Sequence, residues 1–454
     1  MLRTQPQSRR ALHILIALTA FAFITRLVIA VSFENNFDTN WYLQWARGLQ
    51  DGFFNAYSES RAAAMNLDYP PLWLFPLYFV GALVKIPIVN DYAPYRMLVI
   101  KFFPILFDCL VILLLYFFAQ KKLRSPQKAL IVAGLWAVNP STIYNCAFWG
   151  QTDSILIFFL LLSLWFFDED MPVGACIVYA IGALMKMQFL YFAPVIFFLL
   201  LQNARVKKSL MLFLKGLAAG FGTVLLVFLP FMIGSNNLLL PLKVYFGAMG
   251  RYPHINLNAA NFYGLFPSLN WTKDSLSIFG GSLNADGIRV GGFSFWTLSQ
   301  ILLVLSIVYV AYYIFKSKKA RPFHSALLMI QLIFMLTTRQ HERYQLAVTG
   351  LALAIYVCSE LSDRYLLLYG GLTLTTFLNQ FLLLSQVRNG EAPWVGAYGV
   401  LLALISALNV LFFFLSLALL LRDWKPAHSK GLFPRRTPES ANPSEQNQQE
   451  GEPS

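Results

Sequence analysis

The sequence is poor in charge. Asp, Glu, Lys and Arg make up only 13% of its 454 residues, against about a quarter in an ordinary soluble domain. So few charges cannot solvate the two or three soluble domains that the length alone would suggest. Cysteine is scarce too. Cys109, Cys146, Cys176 and Cys358 all lie in apolar runs, with no CxxC pair or Cys/His cluster. Neither a disulfide framework nor a structural zinc site is indicated. The sequence contains no His-Glu-x-x-His, so a zinc-protease reading fails. No internal repeat is visible, which argues against a two-fold transporter.

What is present is apolar and aromatic: 57% hydrophobic residues and a mean hydropathy of +0.57. The 41 Phe, 21 Tyr and 10 Trp suit helix faces and interface belts in a bilayer. The net charge of +13 is read as Lys and Arg held at a cytoplasmic face, not as a nucleic-acid surface.

Apolar runs are expected to span at 12–32, 99–119, 129–147, 153–167, 172–185, 188–201, 209–233, 295–315, 323–338, 345–361, 365–387 and 395–421. That gives an all-α polytopic membrane protein with about twelve crossings. Residues 12–32, preceded by Arg3, Arg9 and Arg10, are read as a retained first helix because no clean cleavage site follows. Several runs between 129 and 201 fall short of about 20 residues and are expected to surround a water-filled cavity. The basic clusters Lys121–Arg124, Arg205–Lys208, Lys316–Arg321 and Arg422–Arg436 set the inner side. Residues 148–153, 186–188, 234–294 and 339–344 then lie outside. The run 72–89 follows Pro70-Pro71, contains Pro76 and carries Lys85 near its end. It is expected to lie along the outer surface, making 33–98 one long first outer loop; the alternative is that 72–89 spans, which would put 33–70 in the cytosol and the N-terminus outside. Residues 1–421 form the membrane domain and 422–454 a disordered cytoplasmic tail. The sequon Asn270-Trp271-Thr272 falls in the large outer loop 234–294.

Polar residues near membrane depth are functional candidates, and four clusters gather on the outer side. The first, Phe33–Tyr42, offers Glu34 and Asp38 as carboxylates in an aromatic setting, where partial burial suits a general base. In the second, Asp68-Tyr69-Pro70-Pro71, Asp68 either caps the following helix or meets substrate. The third is Trp149-Gly150-Gln151-Thr152-Asp153 after Asn139-Pro140. Trp149 and Gln151 suit a sugar, by stacking and amide hydrogen bonding, and Asp153 is expected to cap the next helix. The fourth joins Lys186 and Gln188 to His341-Glu342-Arg343-Tyr344. Lys186 has no basic neighbours, and an isolated cation there suits a lipid phosphate. Arg343 either pairs with Glu342 or grips a phosphate. Arg26 and Asp108, inside helices, are expected to pair with each other.

In that order, these motifs resemble GT-C-fold glycosyltransferases. The nearest likeness is to bacterial relatives of the GPI-anchor mannosyltransferase that adds the second mannose. The resemblance spans about residues 12–421. It implies a polyprenyl- or dolichyl-phosphate-linked sugar as donor, and transfer on the outer or lumenal face. It also implies a surface-lying Pro-Pro helix and a catalytic acid in the first outer loop, which maps onto Asp38. The acceptor is left as a glycan, lipid or protein. Glu34 and Asp38 stand four apart instead of forming a tight Asp-x-Asp pair, so a divalent cation is an open cofactor and not a required one. The implied home is the plasma membrane of a bacterium or the endoplasmic reticulum of a eukaryote. A lipid-sugar transporter or flippase is the rival class, but it would place its charges mid-helix.

Overall fold

The computed structural model describes residues 6–34, 38–247, 253–266, 289–317, 320–389 and 397–424. Asn35, Asn36 and Phe37 of the first polar cluster, the sequon at 270–272 and the tail from 425 lie outside the described residues.

The fold is helical, as the hydropathy implies, apart from a small hairpin that pairs Arg289–Val290 with Phe293–Ser294. The first helix, α1 (Pro6–Ser32), is followed by four short ones that fill the expected outer loop: α2 (Asp38–Leu49), α3 (Glu59–Met65), α4 (Pro71–Val84) and α5 (Pro87–Asp91). The long α6 (Ala93–Leu123) leads into α7 (Pro126–Ala137) and α8 (Pro140–Ile143). A π-helical turn, Tyr144–Trp149, closes that run, and α9 (Asp153–Asp168) and α10 (Pro172–Met185) follow. After a 3₁₀ turn at Met187–Phe192 come α11 (Ala193–Val206), α12 (Leu210–Gly234) and α13 (Leu240–Gly247). The remainder is α14 (Phe295–Lys316), α15 (Pro322–Leu336), α16 (Ala347–Cys358), α17 (Asp363–Asn389) and α18 (Ala397–Asp423).

Among the described residues, seven helical stretches are long and apolar enough to cross a bilayer: Arg9–Ser32, Ala93–Leu123, Met187–Val206, Leu210–Gly234, Phe295–Lys316, Asp363–Gln386 and Ala397–Asp423. The other expected crossings are shorter or broken. The run 129–147 breaks where Asn139 caps α8 through its side chain and Pro140 opens that helix. Helices α10, α15 and α16 have 14, 15 and 12 residues. The connections at one end of these short helices, around Lys186 and from Thr337 to Gln345, are largely buried in protein, which is the condition for irregular backbone at membrane depth.

The main core gathers α6, α7, α9, α15 and α16, with Trp136, Leu160, Phe334 and Leu353 fully enclosed. Arg26 and Asp108 do pair within it: the guanidinium donates to Asp108 at 2.7 Å and to the carbonyls of Ala22 and Ala137. A second core lies beneath α2–α4, where Trp45, Trp73 and Leu77 pack with Phe228 and Phe231 of α12. Helices α2 and α4 meet so closely that a Cβ at Gly81 would fall 2.1 Å from the Ala46 carbonyl. Only glycine permits that approach.

The described stretch 253–266 folds back onto the helices. Leu257, Ala259 and Ala260 are buried, with Leu257 N–H donating to Gln340 O (3.0 Å) and Arg339 N–H to Ile255 O (3.1 Å). Asn379 of α17 and Asn409 of α18 hold its backbone at Asn258 and Ala260.

Candidate functional site

Asp38 opens α2, and its Oδ2 accepts a hydrogen bond from Trp149 Nε1 at 2.6 Å. Trp149 is fixed by the π-helical turn, which ends on Gly150 at φ +89°. A side chain at 150 would be strained there, and its Cβ would press on Lys101 and Thr39. The same turn delivers Gln151. Tyr42, one helical turn beyond Asp38, donates to Gln151 Oε1 (3.4 Å) and lies 3.1 Å from the Tyr69 hydroxyl. Burial raises both phenols, so they remain neutral donors.

Asp153 is not a helix cap. Thr152 occupies the cap position of α9, and Asp153, in the first turn, ion-pairs with Lys186 instead. Asn145 donates to its other oxygen at 3.1 Å. Lys186 is therefore not an isolated cation: it is fully buried and bound to Asp153. The cap position of α4 is held by Pro70, not by Asp68.

The His341–Tyr344 segment closes the site from the far part of the chain. Arg343 Nη1 donates to Glu342 Oε1 at 2.5 Å, and the guanidinium lies 5.2 Å above the Trp149 ring. Burial raises the Glu342 carboxyl, but Arg343 and His341 bring it below the ordinary range, so it is ionised. The His341 imidazole is held down chiefly by burial and is neutral. Gln188 bonds to the Tyr344 hydroxyl. A small cavity of about 10 Å³ is lined by Asp153, Gln188 and Arg343 together with Leu156, Phe192 and Ile330. Two buried donors, Arg343 Nε and Gln151 Nε2, have no hydrogen-bond partner among the described residues.

The structure thus brings together Asp38, Trp149, Gln151, Asp153, Lys186, Gln188, Glu342, Arg343 and Tyr344, with His341 alongside. Glu34 is set apart: it pairs with Arg96 at 3.0 Å and is 38% exposed. Sequence reasoning gave no role to Tyr42 and Tyr69, although both lie in its first two clusters, and missed Asn145 and Lys101. A signal existed for Lys101, a charge within the apolar stretch of α6. Among the described residues, no three His, Cys, Asp or Glu side chains converge as a metal site would need.

Residues 44–249 match the model of the ALG6, ALG8 glycosyltransferase family. That stretch carries Asp68, Trp149–Asp153 and Lys186–Gln188, and stops short of Asp38 and His341–Tyr344. A search of curated proteins finds no match to the chain. The matched family works with lipid-linked sugar donors and glycan acceptors. With seven membrane-length helices behind that match, the chain is a membrane glycosyltransferase that uses a lipid-linked sugar.

Proposed function

We propose that the chain moves a hexose from a polyprenyl-phosphate carrier to a glycan, lipid or protein acceptor on the outer or lumenal face, with inversion at the anomeric carbon. The supporting observation is the convergence on Trp149 of Asp38, at its indole N–H, and Arg343, over its ring, from positions far apart in sequence. One supplies a base and the other an anion site.

The carrier's phosphate is assigned to Arg343, with Lys186 and the Gln151 amide as further donors, and its tail to the surrounding bilayer. The buried, unused Nε of Arg343 and Nε2 of Gln151 support this, since each gains a partner when an anion binds. Asp38 accepts the acceptor hydroxyl's proton as that oxygen attacks the anomeric carbon. The bond from that carbon to the phosphate oxygen breaks, and the electron pair leaves on the lipid phosphate, beside Arg343 and Lys186. One such displacement inverts the centre. Mannose as the sugar, and kinship with the second GPI mannosyltransferase, rest on the motif resemblance, because the family match names a different set of glycosyltransferases.

Twelve crossings follow if α7–α8 with its π turn, α9, α10, α15 and α16 join the seven long stretches. Helices α2–α5 then lie on the outer surface. In support, Lys121 pairs with Glu169, Lys122 with Asp168 and Lys207 with Asp170, which collects the cationic ends of α6 and α11 at one side. The candidate site lies at the other ends of α9 and α10.

The test uses the purified chain in nanodiscs with polyprenyl-phosphate mannose and polyprenyl-phosphate glucose, read by product mass and anomeric configuration. Transfer with inversion is expected. Retained configuration would reject the single displacement. Transfer from a nucleotide sugar but from neither lipid donor would reject the carrier assignment.

A further inference from the structure

Lys101 lies on α6, fully buried. Its ammonium donates to the carbonyls of Phe33 (2.7 Å), Phe148 (2.9 Å) and Ala30 (3.4 Å). Three N–H groups thus meet three acceptors. Two of these carbonyls belong to the C-terminal end of α1 and the chain just beyond it, and the third to the π-helical turn 144–149. Helix C-termini present unsatisfied carbonyls and partial negative charge, so they compensate a buried cation. The rings of Phe33 and Phe148 stack at 3.5 Å, and the Lys101 stem packs against Gly150. Five residues after Phe33 comes Asp38. Immediately after Phe148 comes Trp149, the indole that holds it.

We infer that Lys101 is a positioning residue: it ties the start of the first outer loop to the Trp149 turn and so fixes where the Asp38 carboxylate stands. This rests on the reading of Asp38 as the base. Lys101 touches no reacting atom. Without it, the three carbonyl contacts that join α1's end to the Trp149 turn are lost, and the Asp38–Trp149 contact is less constrained. A misplacement of about 1 Å in a reacting group costs about 10²-fold in rate.

The experiment is a double-variant cycle in nanodiscs, using whichever of polyprenyl-phosphate mannose or glucose the wild-type chain turns over. Lys101→Met keeps the apolar stem and removes the donors. The expected result is a loss of about 10²-fold in kcat with donor KM unchanged, and no further loss when Lys101→Met is added to Asp38→Asn. A general folding defect would instead lower the active fraction equally in both backgrounds, and that equal loss overturns the inference. So does an unchanged kcat in Lys101→Met. Lys101→Arg keeps charge and donors but not the compact tripod. It is expected to insert normally and to lose about 10-fold, an intermediate misplacement. If Lys101→Met fails to accumulate, the Arg variant decides: full kcat would overturn the inference. Full transfer by Asp38→Asn alone would remove the Asp38 reading, whereas a large loss there with an additive Lys101 effect would remove only the inference drawn here.

Discussion

The Trp149 indole donates to the Asp38 carboxylate at 2.6 Å across 111 residues of chain. The same indole faces the Arg343 guanidinium. One aromatic side chain thus contacts both the candidate base, through its N–H, and the candidate anion site, over its ring.

Asp38→Asn keeps the shape and loses proton acceptance. Transfer is expected to fall by about 10²–10⁴-fold while donor binding survives. Glu34→Gln, which opens only a partly exposed pair with Arg96, should change activity little, since such pairs contribute about 0–1 kcal/mol. Initial rates and donor-binding titrations on both variants are the check. A reversed ranking would move the base to Glu34.

Lys186 and Asp153 form a buried ion pair. Removing one partner strands a charge and typically costs about 3–5 kcal/mol. Lys186→Met should therefore lower the unfolding temperature markedly, and the added change Asp153→Asn should restore part of it. Equal melting of the single and double variants would show that the two side chains do not depend on each other.

Acid should weaken the fold near the site. His341 faces Glu342, Arg343, Asp38 and His254, and burial first of all holds its imidazole below the ordinary 6.5. Below that value the unfolded chain binds a proton that the folded one refuses, so stability falls as pH drops. Glu342, also depressed, adds a loss of the same sign below its ordinary 4.5. Melting in detergent from about pH 7.5 to 5.5 should show a falling temperature, and His341→Asn should flatten it. A rise on acidification would contradict the neutral imidazole.

Sidedness has a direct reading. Ser60 and Lys128 are both exposed and stand on opposite faces in the proposed topology. In a background freed of cysteines, an impermeant thiol reagent on right-side-out vesicles should label Ser60→Cys and spare Lys128→Cys. The opposite pattern would put Asp38 on the cytoplasmic side.

The membrane class and the long helices were legible in the sequence alone, as were the polar clusters from which the candidate site is drawn. A bilayer demands long apolar stretches, and unneutralised polar residues beside them must have a use. Arg26 and Asp108 were legible as a pair for that reason: each is a charge that needs a partner inside a bundle. The tertiary structure alone decided which polar residues meet. Glu34 and Asp38 look alike in sequence, yet one turns to Arg96 at the surface and the other to Trp149. Lys186 reads as isolated because Asp153 is 33 residues away along the chain. Lys101 reads as an interruption of α6 because its partners are backbone carbonyls, which every residue possesses. Local pattern records what a side chain requires. The packing of distant helices decides what satisfies it, and in this chain that packing joins the first outer loop, the Trp149 turn and the His341–Tyr344 segment.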